Sequence, residues 1–267
     1  MRLLVKIGGA QLSDPQSRGV LVGAVAKACS AGHQVILVHG GGDQIRDLTG
    51  RLGIEDRYHE GLRITDAETA EVVLMVLGGQ VNRLLVAELS RQGVPAVGLT
   101  GADGELFSAA PLQRPGADLG FVGTVCQAQP QLIERLMAAD MVPVIATVAP
   151  LDRGLEGSAE HFYNINADHC AGPLAQAFGA ETLLFLTNVP GVLDADQQLL
   201  PRLSPGDCAA LRQSGVIHGG MIPKVEAALL AVTAHPSGCI KIAPAAGDNA
   251  VLEALATTTG TTFQADT

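Results

Sequence analysis

Tryptophan is absent and aromatic residues make up only 3% of the 267 positions, whereas glycine occurs 32 times and apolar residues reach 47%. Small apolar residues with many glycines suit an α/β body with tight strand–helix turns and disfavour an all-β sandwich. Cationic residues are short too. The formal net charge of −10 excludes a nucleic-acid backbone or an anionic membrane as the main partner. The five cysteines have no CxxC spacing and an odd count, and read as small buried residues in a reducing compartment. There is no GxxxxGK[ST] loop, no GxGxxG after a strand, and no zinc-ligand spacing among the histidines. Met1-Arg2 runs straight into a strand without a signal peptide, and no apolar run reaches membrane-spanning length. These absences lead us to expect a cytoplasmic protein of one large core or two modest lobes.

Four lysines stand against thirteen arginines, so a lysine next to a glycine turn is less readily dismissed as generic surface charge. Lys6 interrupts the apolar strand Leu3–Ile7, just before Gly8-Gly9. It is either an edge-strand lysine that reaches water or a cation held at the carboxyl end of a parallel strand, where ligands bind in open sheets. Ser13-Asp14-Pro15 caps a helix to about Ala31, and Gln34–Val38 forms a strand ending in His39-Gly40-Gly41-Gly42 before a helix through Leu52. That turn is a tight connection or a place where backbone N–H groups approach an anion. Arg63 is surface charge or a carboxylate clamp; the capping box at Thr65–Glu68 then opens a helix over Asp66–Arg91, apolar on more than one side.

Further strands are expected at Val94–Leu99 and Val142–Val148, with a β-ribbon over 106–125 and a helix over Gln131–Ala139 between them. In His161–Cys170 a strand becomes a helix and presents Asn164, Asn166 and Asp168, either as helix caps or as a ligand-binding cluster. The rest alternates: strand Thr182–Thr187, a small hairpin near Asp194–Leu200, a helix from Ser204 to Gln213, a helix after Gly219-Gly220, strand Gly238–Ala243, a short helix over Asp248–Ala256, and a last edge strand at Gly260–Phe263. Lys224 lies near a helix start, where the helix dipole disfavours a cation unless an anion is close. Lysines and glycine N–H groups, without a base or metal cage, fit phosphoryl transfer, in which the protein positions reactants and neutralises charge.

Five motifs, Leu4–Gly9, His39–Gly42, Gly61–Thr65, Asn164–Asp168 and Gly219–Val225, occur in the order found in the amino acid kinase superfamily, and the chain resembles its N-acetylglutamate kinases of arginine biosynthesis. The resemblance implies an α/β fold, a three-layer αβα sandwich around a mainly parallel sheet. Residues 1–173 would form a lobe for the amino acid and for dimer contact, and 174–267 a lobe for the nucleotide. It implies ATP-dependent phosphorylation of the γ-carboxylate of N-acetyl-L-glutamate, with Mg2+ carried by the ATP phosphates and no protein metal site. Lys6 and Lys224 would contact the transferring phosphoryl group, Asp168 would hold both ammonium groups, and Gly8 and Gly41 would donate backbone N–H bonds. Arg63, Asn164, Asn166 and the Gly41-Gly42 turn would complete the substrate pocket. Asn188, Val189, Pro190, Gly191, Val192 and Leu193, with Val216, Ile217 and His218, would hold adenine and ribose. Asn188 stands where many relatives carry Asp, and Pro223 where an apolar residue is common. The alternatives are a kinase of carrier-linked aminoadipate or glutamate and a non-catalytic amino-acid sensor on the same fold. A homodimer through the Asp66–Arg91 helix is expected, insensitive to arginine because neither an N-terminal linking helix nor the arginine-site pattern of inhibited relatives is seen.

Overall fold

The computed structural model describes residues 1–157 and 159–265. In chain order its elements are β1 (Arg2–Ile7), α1 (Gly9–Ser13), α2 (Pro15–Ser30), β2 (Gln34–His39), α3 (Gly42–Leu52), β3 (Tyr58–His59), β4 (Leu62–Arg63) and α4 (Ala67–Leu74). A π-helical segment, Met75–Val81, joins α4 to α5 (Asn82–Arg91). Then follow β5 (Ala96–Leu99), β6 (Phe107–Pro111), β7 (Val122–Ala128), α6 (Gln131–Ala138), β8 (Val142–Ala146), β9 (Val148–Ala149), β10 (Tyr163–Ile165) and α7 (Ala167–Ala177). The chain closes with β11 (Thr182–Thr187), β12 (Arg202–Leu203), α8 (Pro205–Gln213), α9 (Met221–Ala234), β13 (Cys239–Pro244), α10 (Ala250–Ala254) and β14 (Thr261–Phe263).

Eight strands form the main sheet in the order β12-β14-β13-β11-β1-β2-β8-β5, parallel throughout except for the antiparallel β13–β14 pair. Alternation along each strand sends side chains to opposite faces. Leu4 of β1 and Ile36 and Val38 of β2 pack with α7 and α9, whereas Leu3, Val5, Ile7, Val35 and Leu37 pack with α2 and the α4–α5 region. Helices therefore cover both faces, which is the expected three-layer sandwich. On the first face α7 and α9 approach closely, since a Cβ on Gly172 would lie 2.7 Å from the Ala231 Cα.

Several sequence expectations change. β1 is interior, so Lys6 is not an edge lysine. The strand expected over Val142–Val148 divides at Thr147: β8 stays in the main sheet, and β9 joins a four-stranded sheet β6-β7-β10-β9 above its carboxyl edge. β14 is not the edge, because the two-residue strand β12 pairs outside it, too short to show a periodicity. The small hairpin survives as one antiparallel bridge, Leu193 to Leu199. Ala67–Arg91 is long and apolar enough to cross a membrane by length and composition, against expectation, because its apolar residues are spread along a continuous helix rather than gathered in one run. Val72, Val73, Val76, Leu77, Leu85 and Leu89 bury it on the sheet, while Met75 and Leu84 remain exposed. Only Cys170 and Cys208 are buried; Cys126 and Cys239 are exposed at strand positions that face solvent.

Candidate active site

The carboxyl ends of β1, β2, β8 and β11 meet the N-terminus of α7 in a cleft. Lys6 lies on the face that α7 covers, because it follows the register of Leu4 rather than that of Val5 and Ile7. Asp168, in the first turn of α7, meets it, with Nζ 2.6 Å from Oδ1. The positive end of the helix dipole favours the carboxylate there, and the pair is mostly buried, with side chains 12% and 29% exposed. Asn166 is the cap of α7: its Oδ1 accepts from the N–H groups of Asp168 (2.9 Å) and His169 (3.3 Å). The capping reading of that asparagine is thus correct, and the same residue also lines the cleft.

One cavity is walled by Lys6, Gly8, Gly41, Gly42, Arg63, Asn164, Asn166 and Asp168. Gly41 caps α3 and is closely packed, since a Cβ would lie 2.8 Å from Leu77 Cδ2 and 3.2 Å from Val81 Cγ2 and would push on both side chains. Arg63 is buried; it donates to the Asp56 carboxylate and to the Gly42 carbonyl (3.1 Å), and its guanidinium lies over the Tyr58 ring. Burial, and then the charge of Arg46, push the guanidinium away from its cationic form, so a second carboxylate beside it would be welcome. Thr65 links the two sides of this wall. Its hydroxyl donates to the Arg63 carbonyl (2.9 Å) and accepts from Asn164 Nδ2 (3.2 Å).

The adjoining cavity brings Lys6, Gly8, Asp168, Asn188 and Lys224 together, although Lys6 and Lys224 lie far apart in sequence. The expected contact of Asp168 with both lysines forms on one side only. Lys224 Nζ instead donates to the Gly220 carbonyl at 3.4 Å, its side chain turned back over the first turn of α9. Val189, Pro190, Gly191, Val192, Leu193, Val216 and His218 line a third cavity of about 460 Å3. Ile217 does not. It is 3% exposed and packs in the core, the inward partner of its two cavity-lining neighbours. Among the described residues no group of three or more His, Cys, Asp or Glu side chains converges as a metal cage.

Sequence reading missed the support of the glycine turn. His39 is completely buried; its Nδ1–H donates to the Gly40 carbonyl (2.9 Å), and Nε2 faces Asn82 Nδ2 at 3.0 Å. Asn82 also donates to the Val144 carbonyl at 2.8 Å and accepts from Arg83. Burial drives the His39 pKa down to about 4, so the ring is neutral and accepts from Asn82. A polar residue at a buried position of an apolar helix was the available signal for Asn82. Asp56 and Thr147, also at the cleft, gave none.

A parallel sheet whose strand ends carry glycine turns, with two lysines and an aspartate around one cleft, is a phosphotransferase architecture. The sequence matches the model of the amino acid kinase family over residues 1–241. It is 43% identical over 248 residues to acetylglutamate kinase of Brucella abortus (strain S19), covering 89% of this chain and 82% of the relative. Smu.665 of Streptococcus mutans UA159 superposes with a TM-score of 0.80 at 28% identity, covering 99% of both chains. Giardia lamblia carbamate kinase bound to AMP-PNP gives 0.69 at 15% identity over 99% of this chain and 98% of that one, a likeness of fold. The chain belongs to the amino acid kinase family, and within it groups with the acetylglutamate kinases.

Proposed function

We propose that the protein transfers the γ-phosphoryl group of ATP to the γ-carboxylate of N-acetyl-L-glutamate, giving an acyl phosphate and ADP as a step of arginine biosynthesis. The observation that carries this reading is the Lys6–Asp168 pair, set at the carboxyl edge of the sheet between the Arg63–Asn164 wall and the cavity holding Lys224. Arg63 and Asn164 receive the α-carboxylate, which places the γ-carboxylate by Lys6 and the N–H groups of Gly8 and Gly41. A carboxylate oxygen attacks the γ-phosphorus in line while the bond to the β–γ bridging oxygen breaks. Lys6 and Lys224 offset the charge spread over the equatorial oxygens. No general base is required, since the nucleophile is already ionised at neutral pH. The cavity lined by Val189–Leu193, Val216 and His218 takes adenine and ribose. Mg2+ carried by the ATP phosphates would neutralise part of their charge.

In this reading residues 1–173 serve the amino acid and 174–267 the nucleotide, and the protein is cytoplasmic. The exposed side of the α4–α5 region, with Met75 53% and Leu84 36% exposed around Gly78-Gly79, supports a homodimer through this helix. Light scattering at the mass of a monomer would remove the dimer and leave the chemistry untouched. The function itself is read by trapping acyl phosphate as hydroxamate, with N-acetyl-L-glutamate, L-glutamate, L-aspartate and aminoadipate compared. N-acetyl-L-glutamate should be turned over best, and a preference for a free amino acid refutes the assignment.

A further inference from the structure

Four buried side-chain polar atoms have no hydrogen-bond partner among the described residues: His33 Nδ1, Gln44 Oε1, Thr147 Oγ1 and His235 Nδ1. Of these, only Thr147 belongs to the wall of the cavity that holds Lys6, Arg63 and Asn164. The residue is 1% exposed and stands where the chain passes from the main sheet to the small one. Its backbone is engaged there, the carbonyl accepting from Ile165 N–H at 3.0 Å. Other buried threonines have carbonyl partners: Thr49 that of Ile45, Thr65 that of Arg63, Thr261 that of Leu200. A buried hydroxyl without a partner is a cost to the free protein. Such a cost at the floor of a ligand cavity is removed when a ligand supplies the missing bond.

We infer that the Thr147 hydroxyl is a substrate contact that donates to the carbonyl oxygen of the acylamino group. This rests on the proposed reaction with N-acetylglutamate. The two carboxylates of that substrate are matched by the lysine–glycine side and by Arg63–Asn164, which leaves the neutral amide. The carbonyl oxygen of that amide is an acceptor, so the hydroxyl meets it as a donor. The nearby apolar wall of Leu62, Leu77 and Val122 suits the methyl beyond that carbonyl.

The test uses Thr147→Val, which keeps the shape and removes the hydroxyl, and Thr147→Ser, which restores it. Affinity for N-acetyl-L-glutamate should fall about fivefold to tenfold in Thr147→Val, the scale of one net hydrogen bond. The Tm of the ligand-free variant should stay level or rise by about 2 °C, because the valine removes an unpartnered polar group. A merely structural hydroxyl would lower the Tm on replacement and leave the affinity unchanged. With the acetyl carbonyl of the ligand 13C-labelled and the protein saturated, the bound amide band in the infrared should lie higher for Thr147→Val than for wild type, and Thr147→Ser should return it. An unchanged affinity, an unshifted band, or a Thr147→Val protein that loses stability or fails to fold overturns the inference alone. Wild-type protein that binds no N-acetylglutamate overturns the proposed reaction, and this inference with it.

Discussion

Acid should weaken this fold through His39 in a way that can be calculated. The ring is completely buried, and its pKa is about 4 against an ordinary 6.5. A base whose folded value is depressed contributes stability that is complete above the unfolded pKa and is lost as pH falls toward the folded one. At pH 7 both states are nearly neutral at this ring. At pH 5 this difference shifts the folding equilibrium roughly thirtyfold toward the unfolded chain, which is about 2 kcal/mol. The perturbation is His39→Gln, which removes the titration but retains a polar side chain toward Gly40 and Asn82. Unfolding free energies from urea titrations at pH 7, 6 and 5 are each referred to the same protein at pH 7, so the initial cost of the substitution cancels. Wild type should lose about 2 kcal/mol more than the variant between pH 7 and 5. Parallel curves would refute the burial argument, because they would show that the histidine charges without unfolding the protein.

Lys6→Ala and Lys224→Ala should each lower kcat by about 10²–10³, the scale of one preorganised donor to transition-state charge; a near-normal kcat in the hydroxamate assay would remove the role from that lysine. Arg63→Ala should chiefly raise the KM for the acetylated amino acid, since a carboxylate clamp acts alike in the ground and transition states. It should also lower the Tm, because Asp56 loses its guanidinium partner. A large fall in kcat with an unchanged KM would contradict the clamp.

Much of the fold was legible because its signals are local. Apolar strands ending in glycine and the Asp14 cap depend on neighbours within a few residues; the capping box read at Thr65–Glu68 slips by one, since Asp66 caps α4 by accepting from Thr69 N–H while the Thr65 hydroxyl turns to the Arg63 carbonyl. Where pairing is decided by distant segments, the reading slipped. Val142–Val148 is one apolar run in sequence, yet it serves two sheets, because β10 offers β9 an antiparallel partner while β2 and β5 hold β8. β12 has two residues and takes its identity wholly from β14. The spread of apolar residues over Asp66–Arg91 did announce a helix covered on more than one side, but not that its π-helical stretch packs Leu77 and Val81 against Gly41.

At the site, sequence discloses a residue when its type conflicts with its local setting, as with Lys6 in an apolar strand or Lys224 at a helix start. It is silent about residues whose setting looks ordinary. A threonine at the end of a strand conflicts with nothing, and the peculiarity of Thr147 emerges only in the packed chain, where no partner is within reach of its hydroxyl among the described residues. His39 is the converse. It belongs to a recognisable glycine motif, but its role is fixed by Asn82, forty-three positions away, whose carboxamide joins the ring to the Val144 carbonyl. The two cases have one physical origin. Hydrogen-bond satisfaction in a buried site is a property of the packed chain, so the Thr147 hydroxyl and the Asn82 carboxamide become visible only after the fold is known, whereas Lys6 is marked already by the cost of placing a charge in an apolar strand.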